Sequence, residues 1–328
     1  MVSSLSASTT YYFTVGASNA SGTAWAAYKS ATTFANTIRV DHPIAEGTYT
    51  NVNGSLFGSG GPSYLDVRQG GVGDCWLMAA FAEVAARAPT YITNMFSYAG
   101  TTVDNGITVS LYNVRFYDNS GVVRSVLVDT KLPNGGGKYA HPVNGTLWVA
   151  LAEKAYAQAT GLRYVTSAQT GTSAYSALNG GQATWALRAI TGKSASFFSI
   201  DPNNIAAAWN AGKFIVLTSS TRPASQYIVG DSASTHAYAV VGYNASAGNP
   251  FKVYNPWGTD ANGWAPGTYH NHAVYGLFNA NAAFISQNFI YQAVTTAPGR
   301  DTRATIEFRF EYSESVFAHK HRDDWYMM

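Results

Sequence analysis

One short segment constrains this chain more than any other, because it holds the only cysteine. The segment QGGVGDCWLMAAFAEVAARA runs from residue 69 to residue 88, with the thiol at Cys75. Glycines before the cysteine allow a sharp backbone turn, and Asp74 is a favourable residue for capping a helix N-terminus. The Ala-rich sequence that follows stops at Pro89, where helices tend to end. The pattern therefore predicts a helix that begins at or next to Cys75.

The predicted helix carries an amphipathic pattern. Apolar residues recur at three- and four-residue spacing and predict one buried face, made of Leu77, Phe81, Val84 and Ala88. Glu83 lies two turns after the cysteine, and we expect it to be solvated. The thiol would feel the positive end of the helix dipole, which favours the thiolate. The other interpretation of a lone cysteine in an Ala-rich helix is a buried small apolar side chain.

Two later segments supply partners for a nucleophilic thiol. THAYAVVGYN (residues 235–244) alternates as a strand with His236 at its start, and FKVYNPWG (residues 251–258) is a second strand that ends at Asn255. The turn-forming residues between them predict an antiparallel hairpin. His236 and Asn255 would then lie at the same end of neighbouring strands. A histidine there can accept the thiol proton, and the Asn carbonyl can accept the imidazole N–H and fix its tautomer.

Together these segments resemble the protease core of the calpain family of cysteine peptidases, a branch of the papain-like fold. The family's Q-G-x-x-G-D-C-W pattern is matched in register by Gln69, Gly70, Gly73, Asp74, Cys75 and Trp76. Its G-H-A-Y and N-P-W-G segments are matched by His236-Ala237-Tyr238 and Asn255-Pro256-Trp257-Gly258. Two further family segments are similar to LWVALAEKAYAQ (147–158) and YSALNGGQATWALRAITG (175–192).

The resemblance implies an α+β fold, the two-lobed papain-like cysteine peptidase. Within a peptidase core of residues 63–297, a helical lobe (63–180) would carry Gln69 and Cys75. An antiparallel β lobe (181–297) would carry the histidine, the asparagine and the family tryptophan. The active site would be the cleft between the two lobes.

The same resemblance implies a reaction and a role for each residue. A cysteine endopeptidase hydrolyses protein or peptide substrates through a thioester, with Cys75 as nucleophile, His236 as base and Asn255 orienting the imidazole. The Gln69 side-chain amide and the Cys75 backbone N–H would form the oxyanion hole, and Trp257 would shield the His–Asn pair from water. Two other functions stay open. One is a catalytically inactive binding module on the same fold, and the other is a thiol acyltransferase of the transglutaminase type.

Calpain cores bind calcium in each lobe, and the resemblance extends this hypothesis to three residues of the first lobe. Gly61 would act through its carbonyl, with the carboxylates of Asp66 and Glu153 as further oxygen ligands. The other interpretation is that Asp66 caps a turn and Glu153 pairs with a nearby Lys or Arg. In the second lobe, the segment after N-P-W-G supplies only Asp260. We therefore expect no obligatory cofactor, and at most one calcium site.

The amino-acid composition indicates which kinds of partner this chain is expected to bind. Charged residues make up 12% of the chain, and the formal net charge is +2. Since no Lys/Arg cluster forms a basic stripe, no nucleic-acid partner is expected. No apolar run approaches the ~18 residues that a membrane span requires, so no membrane span is expected either.

The two ends of the chain differ from the middle. Residues 1–34 alternate as strands and follow the L-x-P-x-T-x-Y spacing of fibronectin type III domains, with Tyr11 at the tyrosine and Ala7 at the proline. We interpret them as the remnant of such a module, the alternative being an edge hairpin of the peptidase. Residues 35–62 are expected to be a linker, and the charged residues 298–328 a solvated tail. This organisation indicates part of a larger, modular bacterial protein, and an extracellular one by analogy, although the first residues lack a signal peptide.

Overall fold

The computed structural model describes most of the chain. The described residues are 9–14, 16–19, 21–32, 40–225, 227–230, 232–258, 266–269 and 272–296. The helices are α1 (Cys75–Arg87), α2 (Pro89–Thr93), α3 (Trp148–Gly161), α4 (Ala183–Thr191), α5 (Pro202–Asn210) and α6 (Ala282–Asn288). Short 3₁₀ helices span Tyr64–Asp66 and Tyr175–Leu178.

The strands complete the element order. They are β1 (Thr10–Phe13), β2 (Gly16–Asn19), β3 (Gly22–Trp25), β4 (Lys29–Thr32), β5 (Tyr49–Asn51), β6 (Phe96–Asp104), β7 (Ile107–Tyr117), β8 (Val123–Asp129), β9 (Lys131–Pro133), β10 (Ala195–Ser199), β11 (Ile215–Ser219), β12 (Ala237–Tyr243), β13 (Phe251–Tyr254), β14 (Pro266–Tyr269), β15 (His272–Tyr275), β16 (Leu277–Ala280) and β17 (Phe289–Thr295). Every pairing between named strands is antiparallel.

The first lobe is helical, with a sheet on its outside. Helix α3 packs against β8, where β6, β7 and β8 form a three-stranded sheet. Helix α4 packs against β7 and α1, although the sequence-based boundary at residue 180 assigns it to the second lobe. Large apolar side chains, among them Trp148, Tyr156 and Phe81, are fully buried in the core of this lobe. Helices and antiparallel sheets thus share one structure, and the predicted α+β fold is confirmed.

Helix α1 begins at Cys75, as the sequence predicts, but it is buried on all of its faces rather than on one. Every residue from Trp76 to Ala85 is buried, because α1 packs against α4 on one side and against β11 and β12 of the second lobe on the other. The prediction of a single buried face was therefore wrong. The helix ends at Arg87, and Pro89 occupies the first turn of α2, where its missing N–H costs nothing.

The second lobe is built on a six-stranded antiparallel sheet in the order β10-β17-β11-β12-β13-β16. Its own apolar core includes Ile205, Leu217, Val253 and Ile285. The predicted hairpin is present, because β12 pairs with β13 in the register Ala239↔Tyr254. This pairing brings the residues just outside the two strands to the same end of the sheet.

Glu83 is a second correction to the sequence-based expectation. Its side chain is completely buried rather than solvated, and Oε1 accepts a 2.9 Å hydrogen bond from the Ile215 N–H at the start of β11. Burial raises the pKa of the Glu83 carboxyl well above its usual value. One turn later, Arg87 donates to the carbonyls of Lys213 (2.7 Å) and Trp209 (2.9 Å). The C-terminal half of α1 is therefore attached to the second lobe by polar contacts as well as by packing.

This contact gives a testable result for stability. Glu83→Ala should lower the free energy of unfolding by about 2–4 kcal/mol, because the Ile215 N–H loses its acceptor and a cavity forms. Glu83→Gln keeps the acceptor and should cost far less at pH 5. An unfolded Glu ionises near its ordinary pKa whereas the folded Glu83 stays protonated, so the wild type should lose more stability than either variant as pH rises further. Urea denaturation of the three proteins from pH 5 to 8 measures both effects. Equal losses for the two variants would contradict the assignment.

The segment expected to be a linker, residues 35–62, is part of the fold over its described residues 40–62. Strand β5 pairs with β9 in the register Thr50↔Leu132, and the Ile44 N–H donates to Ser173 O at 2.8 Å. His42 Nε2 lies 2.8 Å from Asp129 Oδ2. Sequence patterns did not show this, because each contact joins residues far apart in the chain.

The N-terminal strands pair only with one another in the described part of the chain. β1 pairs with β4 and β2 with β3, and the aromatic side chains of Tyr12, Trp25 and Tyr28 are exposed. The fibronectin type III interpretation stays a prediction. The predicted tail at 298–328 and the second-lobe calcium candidate Asp260 lie outside the described residues. Among the described residues, no helix is both long and apolar enough to cross a bilayer.

Candidate active site

A cleft of about 760 Å³ is lined by residues from both lobes. The first lobe contributes Gln69 and Cys75, and the second contributes His236 and Trp257. The Cys75 sulfur also reaches the backbone N–H of Ala237, the residue after the histidine. Side chains separated by more than 150 positions in the chain thus meet in one cavity.

The loop before the nucleophile is held in place by backbone hydrogen bonds. Gly71 N–H donates to Gly137 O at 3.1 Å and Val72 N–H to Lys138 O at 2.9 Å. A side chain at Gly70 is sterically excluded, since a Cβ there would lie 2.4 Å from the backbone carbon of Lys138. The glycines that the sequence associates with a sharp turn therefore also permit close approach to the 137–138 segment.

Gln69 is placed in the cleft with its amide oriented. Its backbone N–H donates to Pro256 O at 2.8 Å, and its side-chain Nε2 donates to Val72 O at 2.8 Å. A primary amide has two hydrogens, so a second N–H is available to a ligand. The Cys75 N–H is in the first turn of α1, where backbone donors lack intrahelical partners. These are the two donors named for the oxyanion hole, a role that stays a prediction.

His236 and Asn255 are in direct contact. His236 Nε2 lies 2.8 Å from Asn255 Oδ1, and both residues are buried. The Trp257 N–H donates to the same oxygen at 3.1 Å, and the Trp257 ring lies 5.1 Å from the imidazole, centroid to centroid. In this arrangement the asparagine orients the ring through one nitrogen, and the tryptophan covers it from one side.

Ser219 is a residue that the sequence analysis missed. It is completely buried at the end of β11, where its Oγ accepts from the His236 N–H at 2.8 Å and donates to Val229 O at 2.5 Å. The Tyr238 ring packs edge-on against the imidazole at 5.1 Å. Ser219 fixes the backbone from which the histidine projects. A single serine in an apolar strand gives no sequence signal for such a role.

The electrostatics of the site differ from the expectation based on the helix dipole. Burial raises the pKa of the Cys75 thiol to about 11, although backbone N–H groups of Ala237 and Trp76 act in the opposite direction. Burial lowers the pKa of His236 to about 4, and its hydrogen bond to Asn255 opposes this only in part. At neutral pH these shifts favour a neutral thiol and a neutral imidazole in the resting site. Desolvation of the buried imidazole and of the half-buried thiol outweighs the dipole here.

This difference can be measured through the pH dependence of alkylation. The thiolate reacts and the thiol does not, so the rate of Cys75 alkylation by iodoacetamide should rise roughly tenfold per pH unit between about pH 6 and 9. A preformed thiolate–imidazolium pair would instead give a plateau that extends below neutrality. Since the chain has one cysteine, the incorporated label reports this residue alone. A rate that is flat across this range would refute the neutral resting pair.

Asp74 behind the nucleophile does not act as the predicted cap. It occupies the N-cap position, but its side chain makes no capping hydrogen bond and is completely buried. Its carboxyl instead faces that of Glu153, which is also buried. Burial raises the pKa of Asp74 to about 7, and burial together with Asp74 raises that of Glu153. Two adjacent buried carboxyls share at least one proton, because two carboxylate charges would repel each other strongly where no water screens them.

These contacts bear on the calcium hypothesis for Gly61, Asp66 and Glu153. Asp66 Oδ2 accepts from the Ser63 N–H at 2.9 Å, as in the capping alternative, and from Trp148 Nε1 at 2.7 Å. Glu153 Oε2 accepts from the Ala140 N–H at 2.9 Å, and its other side faces Asp74 rather than a Lys or Arg. One oxygen of each carboxylate is thus engaged with the protein, and no group of three or more His, Cys, Asp or Glu side chains among the described residues is arranged to hold a metal ion. No chemical step is assigned to calcium.

A cleft between a helical lobe and an antiparallel β lobe, with a cysteine at a helix N-terminus and a His–Asn pair on the facing sheet, is the arrangement of papain-like cysteine peptidases. Residues 46–272 match the sequence profile described as calpain family cysteine protease. The chain therefore belongs to the calpain family.

Individual relatives agree with this assignment. The chain is 30% identical to the chicken (Gallus gallus) calpain-2 catalytic subunit over 220 residues, 62% of this chain and 29% of the relative. It is 29% identical over 223 residues, 61% of this chain, to the human (Homo sapiens) calpain-2 catalytic subunit and to human calpain-8, covering 29% and 28% of their lengths. The match thus spans less than a third of each of these relatives.

Proposed function

We propose that this chain is a cysteine endopeptidase that cleaves peptide bonds of protein substrates through a thioester intermediate. The observation that carries the proposal is the 2.8 Å contact between His236 and Asn255 at the cleft that also holds Cys75. Membership of the calpain family supports the general chemistry. The roles of the individual residues are part of the proposal.

In the first half of the reaction, the Cys75 sulfur attacks the carbonyl carbon of the scissile peptide bond. Because thiol and imidazole start neutral, His236 accepts the thiol proton as the carbon–sulfur bond forms. The carbonyl oxygen becomes an oxyanion and accepts hydrogen bonds from the Cys75 N–H and from the free N–H of the Gln69 amide. Each such donor contributes about 3–4 kcal/mol in comparable sites.

Collapse of the tetrahedral intermediate breaks the carbon–nitrogen bond. The imidazolium of His236 transfers its proton to the leaving amine, and the acyl group stays on sulfur as a thioester. Water then attacks the thioester with His236 as base, which releases the carboxylic acid product and regenerates the thiol. Throughout, Asn255 keeps the imidazole oriented, and the Trp257 ring limits the access of water to their hydrogen bond.

The proposal is tested by adding a peptidyl chloromethyl ketone to the purified protein during casein cleavage. The expected result is loss of cleavage in proportion to the incorporation of one label per chain at Cys75. Casein that stays intact at every condition would favour the inactive binding module. Transfer of the acyl group to an added amine, in place of hydrolysis, would favour the acyltransferase, although such enzymes use an acidic third residue where this chain has Asn255.

Calcium dependence forms a separate prediction. Because α1 is fixed to the second lobe through Glu83 and Arg87, the cleft should be aligned without a cation. The rate of cleavage in excess chelator should therefore equal that in millimolar calcium, to within about twofold. Calcium could raise the rate only by binding an aligned cleft more tightly than a misaligned one. If cleavage instead required calcium, and Asp66→Ala abolished this calcium-dependent cleavage, the result would support the first-lobe site.

A further inference from the structure

The Gln69 side-chain amide, one of the two proposed oxyanion donors, is oriented by a single peptide unit. Its Nε2 donates to Val72 O at 2.8 Å, while its Oε1 is buried and has no hydrogen-bond partner among the described residues. The N–H of the same peptide unit belongs to Gly73, and it donates to Asn179 Oδ1 at 2.7 Å. Because the C=O and N–H of a planar trans peptide point in opposite directions, Gln69 and Asn179 hold this peptide from its two sides.

The neighbouring peptides are fixed by other contacts. Val72 N–H donates to Lys138 O at 2.9 Å, and Gly73 O accepts from the Gly180 N–H at 2.9 Å. In the described part of the chain, the Val72–Gly73 peptide therefore depends on two side-chain amides for its hydrogen bonds. A flip of this peptide requires a new φ at Gly73, which glycine adopts at little cost. Such a flip would turn Val72 O away from Gln69.

The loop that carries Asn179 is anchored to the nucleophile's helix. Asn179 follows the second 3₁₀ helix, where Trp76 Nε1 donates to Leu178 O at 3.0 Å in a buried contact. The loop passes so close to this indole that a Cβ at Gly181 would lie 2.3 Å from a ring carbon of Trp76. The backbone is therefore fixed on both sides of Asn179, and its side-chain oxygen is preorganised as an acceptor for the turn before the cysteine.

Asn179 lies outside the cleft itself. Among the described residues of this loop, Gly180 and Gly181 line the cleft and Asn179 does not; it borders a second cavity of about 300 Å³. The residue is exposed, so its substitution should cost little stability. An effect of Asn179 on turnover would therefore pass through the Val72–Gly73 peptide rather than through unfolding or contact with the substrate.

From these contacts we infer that Asn179 is a positioning residue for the oxyanion hole, which acts through the Val72–Gly73 peptide to hold the Gln69 amide in its donating orientation. This inference rests on the proposed peptidase function and deepens it by naming what orients the donor. Sequence patterns do not indicate the role, because 106 positions separate Asn179 from Gly73.

Substitutions at Asn179 test the inference through kcat. Asn179→Leu has a similar shape but no acceptor, and it should lower kcat for peptide hydrolysis about tenfold, near the upper end of what one hydrogen bond contributes, with KM nearly unchanged. Asn179→Asp keeps an acceptor oxygen and should recover most of the loss, since its exposed charge is screened by solvent. Iodoacetamide should alkylate Cys75 in Asn179→Leu at the wild-type rate, because that reaction forms no oxyanion. Ser176→Ala, at an exposed position three residues earlier, is the matched control and should leave kcat unchanged.

A double-mutant cycle with Gln69 tests the route of the effect. Gln69→Ala alone should lower kcat by about 10²–10³-fold, the loss expected for one oxyanion donor. Adding Asn179→Leu to Gln69→Ala should have no further effect, since the amide that Asn179 positions is gone. A further loss of similar size in the double variant, an effect of Asn179→Leu on KM alone, or a loss that Asn179→Asp does not reduce would overturn the inference.

A readout without turnover separates this inference from the proposed function. Isotopic labelling of glutamine nitrogen gives side-chain amide signals in NMR spectra, and the Gln69 pair is identified by its loss in Gln69→Ala. The hydrogen-bonded proton of this pair should exchange with deuterium more slowly in the wild type than in Asn179→Leu. If this difference is present but no peptide is cleaved, the positioning role stands and the proposed function fails. If peptides are cleaved and neither kcat nor the Gln69 signals respond to Asn179→Leu, the function stands and the positioning role is wrong. Unchanged signals without any cleavage would contradict both.

Discussion

Cys75→Ala should lower kcat/KM for casein-derived peptides by about 10⁵-fold or more, since removing a covalent nucleophile leaves only binding and oxyanion stabilisation. The substitution removes one sulfur atom from a half-buried position, and little volume is lost. The variant should therefore fold normally, with a circular dichroism spectrum and a melting temperature close to those of the wild type. Cys75→Ser should behave similarly, because a serine hydroxyl that has only a neutral imidazole as its base is a far weaker nucleophile than the thiol.

The control for this experiment is already present in the chain. As Cys75 is the only cysteine, a thiol reagent should label the wild type once and the alanine variant not at all. An alanine variant that is folded and still cleaves peptides at a rate near that of the wild type would show that another residue is the nucleophile. A loss of activity that accompanies unfolding would be recognised from the spectrum and would call for the serine variant.

Much of the site follows from local sequence signals. The glycine-rich turn, the helix that starts at Cys75 and the β12–β13 hairpin are each encoded within a few residues. Once the hairpin is predicted, the proximity of His236 and Asn255 follows from antiparallel pairing. The position of Gln69 relative to Cys75 likewise depends on six residues of chain.

Other features depend on contacts that no periodic pattern encodes. The sequence pattern predicts that Glu83 is a solvated polar residue on a helix. It is buried because the second lobe covers α1 at Ile215. Ser219 supports His236 because β11 and β12 are neighbours in the sheet. Asp74 is a favourable cap by residue type, but the nearby Glu153 determines its environment. In each case the decisive partner is distant in sequence.

The charge state of the nucleophile also depends on contacts between residues that are distant in sequence. Position at a helix N-terminus lowers the pKa of a cysteine, and that much can be inferred from sequence. How far burial opposes it depends on the packing of both lobes around the thiol, and here burial is the larger effect. In the proposed mechanism, activation of Cys75 therefore depends on proton transfer to His236 during attack, so removal of the imidazole should be nearly as damaging as removal of the thiol.

His236→Ala should accordingly lower kcat/KM by at least about 10⁴-fold, because general base and general acid are lost together. Asn255→Ala should be milder, at about 10²-fold, since the imidazole stays present but loses the hydrogen bond that orients it. His141→Ala is the matched control, as this histidine is exposed and should leave turnover unchanged.

The comparison of peptide hydrolysis and thiol reactivity in these variants distinguishes the two roles. With a neutral resting pair, iodoacetamide should alkylate Cys75 in His236→Ala with nearly the wild-type pH dependence, even though hydrolysis is lost. If His236→Ala abolished a fast alkylation below neutrality, the resting site would hold an ion pair instead. A folded His236→Ala variant with undiminished hydrolysis would exclude His236 as the base. Equal losses in His236→Ala and Asn255→Ala would contradict the separation between a reacting group and a group that positions it.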